Sequence, residues 1–342
     1  MSIAEPPPQS AAIRRPALPS GPVIGLCAVL ALFATLIAIK GELGSFLSLR
    51  NLQVLVHEGT IPGVIALGML MVIVSGGIDL SVGSIAALVT VVTMRTYSAL
   101  YTGPESMTMA SVVAIAAGVL SGGVCGLVNG LVITRLKLPP FVATLGMLGI
   151  ARGVAIWVAD RKLLAFPPGD SRPGWVDSLA RVHAGATVFN PGFWTLVVLA
   201  GLVAVLLRKT VLGRHIYAIG SSEPTARLCG ISVERTKVAV YTLTGLLTGW
   251  AGVLLFAHGA SGNPSGGEGL ELRVIAAVVI GGAALTGGIG TVGGTLLGVL
   301  VLEVLSNGVS LFNVPIEIQH ILIGVIIIAN TALSRWRVQG RR

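Results

Sequence analysis

Nine apolar runs, each about the length of a membrane-crossing helix or longer, constrain this chain more than any other feature. A helix rises about 1.5 Å per residue, so roughly 20 residues cross the hydrocarbon layer of a bilayer. The runs are Pro22–Ile39, Gly59–Ile78, Leu80–Leu100, Met107–Thr134, Phe141–Val158, Phe189–Leu207, Val238–Ala257, Val274–Phe312 and Ile316–Leu333. Few charges interrupt them: Arg95 near the end of the third, Arg152 in the fifth and Glu303 in the eighth. The eighth has 39 residues, enough for two crossings joined by a Gly-rich turn. The sequence therefore predicts an all-α polytopic membrane protein with about ten transmembrane helices. Composition agrees. Charged residues are 11% of the 342, against roughly 25% in an ordinary soluble domain, too few to cover a globule in water. A soluble enzyme, a nucleic-acid-binding domain and a disordered chain are excluded, and the bilayer becomes the main solvent.

Residues 1–21 read as a flexible cytoplasmic tail, 22–334 as one transmembrane domain and 335–342 as a basic cytoplasmic tail. Arg14-Arg15 precede an apolar run, as in a signal peptide, but no small-x-small cleavage site with a soluble domain follows, so that run reads as a first anchor. With the N-terminus in the cytoplasm, 14 of the 23 basic residues fall in predicted cytoplasmic segments. That bias favours both termini inside. The longest internal loop, about 208–237, carries six basic residues, and the longest external loop is about 159–188. Glu223-Pro224 in the internal loop reads as a helix start. His57, His258 and His320 fall near predicted helix ends and read as interfacial. Cys27, Cys125 and Cys229 have no metal-ligand spacing, and no metal site is expected.

The motifs present are mainly structural. None of the five lysines follows a glycine, so the phosphate cradle G-x-x-x-x-G-K-[ST] is absent, and any ATP must bind another subunit. Gly288-x-Gly290-x-x-Gly293 matches a dinucleotide fingerprint but lies between membrane-length runs, which suits a tight turn better. Glycines recur every four residues at Gly118, Gly122, Gly126 and Gly130, and again at Gly290, Gly294 and Gly298. In lipid, such small-residue faces let helix backbones approach, within a bundle or across a dimer contact. Arg152, near a helix midpoint, needs a carboxylate or carbonyls, with Glu303 and Asp79 as acidic candidates. Asp79 also reads as a cap at a helix start.

Four stretches, taken in order, resemble the permease subunit of bacterial ABC importers for ribose, xylose, galactose and related sugars. The first is Gly76-Gly77-Ile78-Asp79-Leu80-Ser81-Val82-Gly83-Ser84. The second runs from Gly126-Leu127-Val128-Asn129-Gly130 through Thr134 to Gly146. The third is Gly213-Arg214-His215-Ile216-Tyr217-Ala218-Ile219-Gly220 with Glu223, Ala226, Arg227 and Gly230-Ile231. The fourth is Ala276 to Gly282 followed by Gly293 to Gly298. The resemblance spans roughly residues 20–335. The chain departs from the family at Ser221-Ser222, Thr225-Ala226 and Leu285 to Gly288, and its loop at 159–188 is longer than usual.

The resemblance implies a multi-pass protein of the bacterial inner membrane that pairs with a second permease copy. Its other partners would be a cytoplasmic ABC ATPase subunit, which binds the ATP and magnesium, and a periplasmic sugar-binding protein. This chain would hold no cofactor and do no covalent chemistry. Gly213, Arg214, Tyr217, Ala218, Gly220, Glu223, Ala226, Arg227 and Gly230 would form the ATPase-coupling loop. Ser81, Ser84, Asn129 and Thr144 join Asp79, Arg152 and Glu303 as candidates to line the solute path. Two rival readings remain. One is a branched-chain amino-acid ABC permease. The other is an ion-coupled carrier or channel working alone, which would need midplane carboxylates or broken helices.

Overall fold

The computed structural model describes residues 20–39, 43–168, 171–180 and 189–312, with Ile318, Ile321 and Gly324. Most of the N-terminal tail, the last predicted run, His320, the basic C-terminal tail and parts of the 159–188 loop lie outside the described residues. The helices are α1 (Ser20–Ile39), α2 (Leu43–Phe46), α3 (Leu49–Val74), α4 (Val82–Leu100), α5 (Met107–Arg135), α6 (Pro140–Val158), α7 (Gly174–Ala180), α8 (Pro191–Lys209), α9 (Val211–Ser221), α10 (Glu223–Leu228), α11 (Val233–Gly259), α12 (Leu270–Ile280) and α13 (Val292–Leu311). No strand occurs among the described residues.

Eight of these helices are long and apolar enough to cross a membrane: α1, α3, α4, α5, α6, α8, α11 and α13. The run Val274–Phe312 does not make two crossings. Its first part is α12, which has 11 residues and spans only about 16 Å. Gly281 ends that helix, and Gly282, Gly287 and Gly288 then adopt positive φ, at +90°, +90° and +77°. Side chains rarely tolerate that backbone, so the glycines turn the chain where continuous apolarity suggested helix.

Local chemistry sets the helix ends. Ser48, Asn190, Thr210 and Thr291 each accept a backbone N–H from three residues on, capping α3, α8, α9 and α13. At the end of α3, Gly76 has φ +82°, Gly77 N–H reaches the Val72 carbonyl and Gly76 N–H that of Ile73. This pairing satisfies carbonyls that a helix end would otherwise leave bare.

Helix α11 lies at the centre, packed on α5, α3 and α4. A Cβ built on Gly122 would come within 2.5 Å of the Gly245 carbonyl. One on Gly126 would meet the Tyr241 carbonyl, and one on Gly130 would lie 2.7 Å from Val238 Cα. Gly118 faces Thr93 and Val89 of α4 as well as the Val253 side chain of α11. The α5 stack thus brings two backbones together inside one protomer. In the second stack, Gly294 packs on the Gly281 carbonyl and Gly298 on that of Ala277. Gly290 is not on that helix face: it precedes α13 and packs on Leu70 and Val74. Outward faces of α5, α6 and α8 expose Leu120, Val124, Ile150, Trp157, Val198 and Leu202, a surface suited to lipid. Gly122→Leu should push α5 from α11 and cost at least the roughly 1–3 kcal/mol of core overpacking. Thermal denaturation of the purified protein should show a lowered midpoint; an unchanged midpoint would contradict the close backbone approach.

Candidate functional site

The sequence-predicted residues fall into four places. The first is the break between α3 and α4. Asp79 Oδ1 accepts from Ser81 N at 2.9 Å and Ser81 Oγ at 2.5 Å, and Asn129 Nδ2 of α5 donates to Ser81 Oγ at 2.9 Å. Asp79 therefore closes a turn before α4 and does not cap the helix itself, whose N-cap is Ser81. Thr144 Oγ1 of α6 donates to the Ile78 carbonyl at 3.2 Å. Asp79, Ser81, Ser84, Asn129 and Thr144 are all buried, so they do not border an open channel within one protomer.

The second place is the segment between α11 and α12. Arg152 Nη1 donates to the Pro264 and Gly266 carbonyls at 2.7 and 3.0 Å. Neither Glu303 nor Asp79 is its partner. Thr90 Oγ1, mid-way along α4, accepts from Asn263 N at 2.9 Å, and an isolated bridge ties Gly262 to Leu164. Non-helical backbone thus runs alongside the helices, its polar groups held by protein, the condition under which broken segments persist at membrane depth.

The third place joins α12 to α13. Glu303, only 3% exposed, binds Arg273 at 2.8 Å. Sequence reasoning missed Arg273, which directly precedes the eighth run. The signal available was the lone carboxylate in that run, which needs a cation nearby. A second missed cluster ties α3, α8 and α11 together. Asn190 Oδ1 accepts from Phe193 N, so its Nδ2 must donate to His57 Nδ1 at 2.9 Å. His57 Nε2 then carries a proton and donates to His258 Nδ1 at 2.9 Å. Ligand atoms of His57, Glu58 and His258 lie within 4.8 Å of one another. The hydrogen-bond order nevertheless commits His57 Nε2 to a proton rather than a metal.

The fourth place is the basic loop. Thr210 starts α9, and Gly213 fits the tight α8–α9 turn, where a Cβ would strike the Leu206 and Leu207 carbonyls. Tyr217 Oη donates to the Gly290 carbonyl at 2.7 Å. Gly220 packs on the Val74 carbonyl, and Gly288 N–H donates to that same carbonyl at 2.9 Å. One short helix therefore grips both the end of α3 and the glycine turn before α13. Ser222 caps α10, Pro224 sits in its first turn, and Gly230 (φ +78°) closes it, with Ile231 N bonded to the Ala226 carbonyl. Arg214 and Ala218 lie on α9 between these contacts.

Ionic contacts staple α10 to α11. Glu223 binds Arg227 at 2.9 Å and Lys237 at 2.7 Å, and Arg227 binds Glu234 at 2.5 Å. Partial burial opposes ionisation of Glu223, but hydrogen bonds from Lys237 and Arg227 outweigh it and hold the carboxyl below the ordinary Glu range.

Residues 52–331 match the family described as the permease component of the branched-chain amino acid transport system. The chain belongs to this permease family. The permease is 38% identical over 323 residues to the ribose import permease RbsC of Bacillus subtilis (strain 168), covering 92% of each chain. It is 37% identical over 314 residues to the L-arabinose ABC transporter permease AraH of Azospirillum brasilense, covering 92% of its own length and 87% of the relative. The fructose import permease FrcC of Rhizobium meliloti is 32% identical over 86% of this permease and 80% of the relative. No solved structure matches.

Proposed function

We propose that this permease carries a monosaccharide inward as part of an ATP-driven importer. It would work as a pair of copies in the inner membrane, with a cytoplasmic ATPase and an external sugar-binding protein. The observation that carries the reading is the grip of α9 on two breaks at once, the end of α3 and the turn before α13. Closure of an ATPase against α10 would move α9 as a lever. The levered elements lead directly to the Asp79 turn and to the broken α12–α13 unit. The permease supplies the moving path, and the ATPase supplies the chemistry.

Similarity to permeases named for ribose, L-arabinose and fructose favours a sugar over a branched-chain amino acid. The buried hydroxyl, amide and carboxylate groups at the α3–α4 break suit a polar solute once the helices part. A stand-alone carrier would not need a stapled basic lever.

The test is uptake by the permease reconstituted with its ATPase and binding protein. Glu223→Gln and Arg227→Gln should each lower sugar moved per ATP hydrolysed by at least about fivefold, the lower end of typical coupling between sites. Membrane insertion should persist. Unchanged coupling in both variants would count against the lever. Uptake of leucine rather than sugar, after exchange of the binding protein, would favour the branched-chain reading.

A further inference from the structure

We infer that the groove between α5, α8 and α11 holds one anionic phospholipid, its head group on Arg135 and Arg235. Two cavities, of about 680 and 540 Å³, lie on this face and share Leu243 as a common wall. The larger is lined by Trp194, Leu202 and Leu206 of α8 and by Leu246 and Trp250 of α11. Two of its polar side chains are already occupied, since Trp250 Nε1 donates to Thr195 Oγ1 at 3.0 Å and Thr195 Oγ1 donates to the Gly192 carbonyl at 2.7 Å, which leaves the Trp194 indole N–H as the one donor. A sugar would lose the hydration of several hydroxyls there for at most one hydrogen bond. A hydrocarbon chain loses nothing.

The smaller cavity changes character at the basic ends of α5 and α11. Thr134 and Thr242 donate to carbonyls of their own helices at 2.8 Å. The one carboxylate on its rim, Glu234, is held by Arg227 at 2.5 Å. Arg135 and Arg235 are exposed and have no side-chain partner among the described residues. Two guanidinium forks on the lining of one cavity suit a phosphate. From Arg235 to Trp250 the wall of α11 rises about 22 Å, more than the roughly 15 Å hydrocarbon depth of one leaflet. A head group at the arginines thus leaves a full acyl chain's length of apolar groove. The inference needs only that these helices cross the bilayer with their basic ends at the cytoplasmic leaflet; it is independent of the sugar.

Native mass spectrometry of the full-length permease in mild detergent tests it, with phosphatidylglycerol or phosphatidylcholine added. The wild type should retain phosphatidylglycerol and not phosphatidylcholine. Neutralising both arginines (Arg135→Gln with Arg235→Gln) should weaken retention about 30-fold, and the lysine pair should largely keep it. Ala239→Trp, which fills the smaller cavity and leaves both arginines, should also expel the lipid. It keeps the test valid if the neutral variant inserts poorly. Equal retention of both lipids, retention of neither, or an Ala239→Trp variant that keeps its lipid would each overturn the proposal. So would loss of the permease dimer from that variant with its lipid still bound, because the groove would then be covered by a second copy.

Discussion

Gly220→Leu is expected to reduce ATP-driven uptake to background while the protein still inserts. Gly220 has no Cβ to separate α9 from its supports. A Cβ there would strike the Val74 carbonyl and lie within 2.5 Å of Gly288 N. The same carbonyl is the acceptor for Gly288 N–H, so one side chain would force apart all three elements at their meeting point. Leucine cannot relieve this by changing rotamer, because the clash begins at its first carbon and the opposing atoms are backbone. The clash falls at the last residue of α3 and leaves the apolar length of every transmembrane helix unchanged, so topology reporters and expression should stay near wild type. Uptake and ATPase stimulation by the loaded binding protein should fall together by at least the roughly 150-fold at the upper end of inter-site coupling. A control is Gly230→Leu. That residue also has positive φ, at +78°, but it meets nothing within 4 Å and closes α10 without touching α3. It should weaken α10 and lower uptake only in part. If Gly220→Leu transports normally, α9 is not the lever.

These contacts mark where the sequence was legible. Apolar runs give away membrane helices because lipid offers backbone groups no partners, and only a helix of sufficient length satisfies them all. The four-residue glycine spacing in α5 was equally readable, since a small-residue face has little other use. What it packs against was not: Gly245 and Gly249 share the four-residue spacing but sit more than 100 residues away, and spacing alone does not pair one glycine face with another. Continuous apolarity misled in Val274–Phe312, because the signal that shortens α12 is conformational, carried by glycines at positive φ, and hydropathy is blind to it. For Arg152, the demand for a partner was visible in the sequence. Its answer was two carbonyls of a loop over 110 residues on, which have no signature of their own. The local structure of the α9–α10 segment was the most legible, with its helix start at Glu223-Pro224. Its caps, its proline and its opposite charges are all local.

The Arg273–Glu303 pair yields the second large effect. Glu303 is buried against α3, where a Cβ on Gly59 would lie 3.3 Å from its Cγ, so the carboxylate cannot swing out to water. Arg273→Ala removes its one ion-pair partner among the described residues and leaves the charge stranded, a change that typically costs about 3–5 kcal/mol. Glu303→Gln should cost less, because Arg273 is partly exposed and can recover water. Replacing both residues, Arg273→Met with Glu303→Gln, should restore most of the lost stability, since no unpaired ion remains. Thermal denaturation of the purified permease in lipid nanodiscs reads this order directly: Arg273→Ala lowest, Glu303→Gln intermediate, the double variant near wild type. Coupling between the two substitutions would mean the pair is held as a unit and fixes α12 on α13. Strictly additive losses would mean the two charges do not interact, and α12 would then be anchored by its buried Val274, Ala276, Ala277 and Val278 and by the Gly281–Gly294 and Ala277–Gly298 backbone contacts.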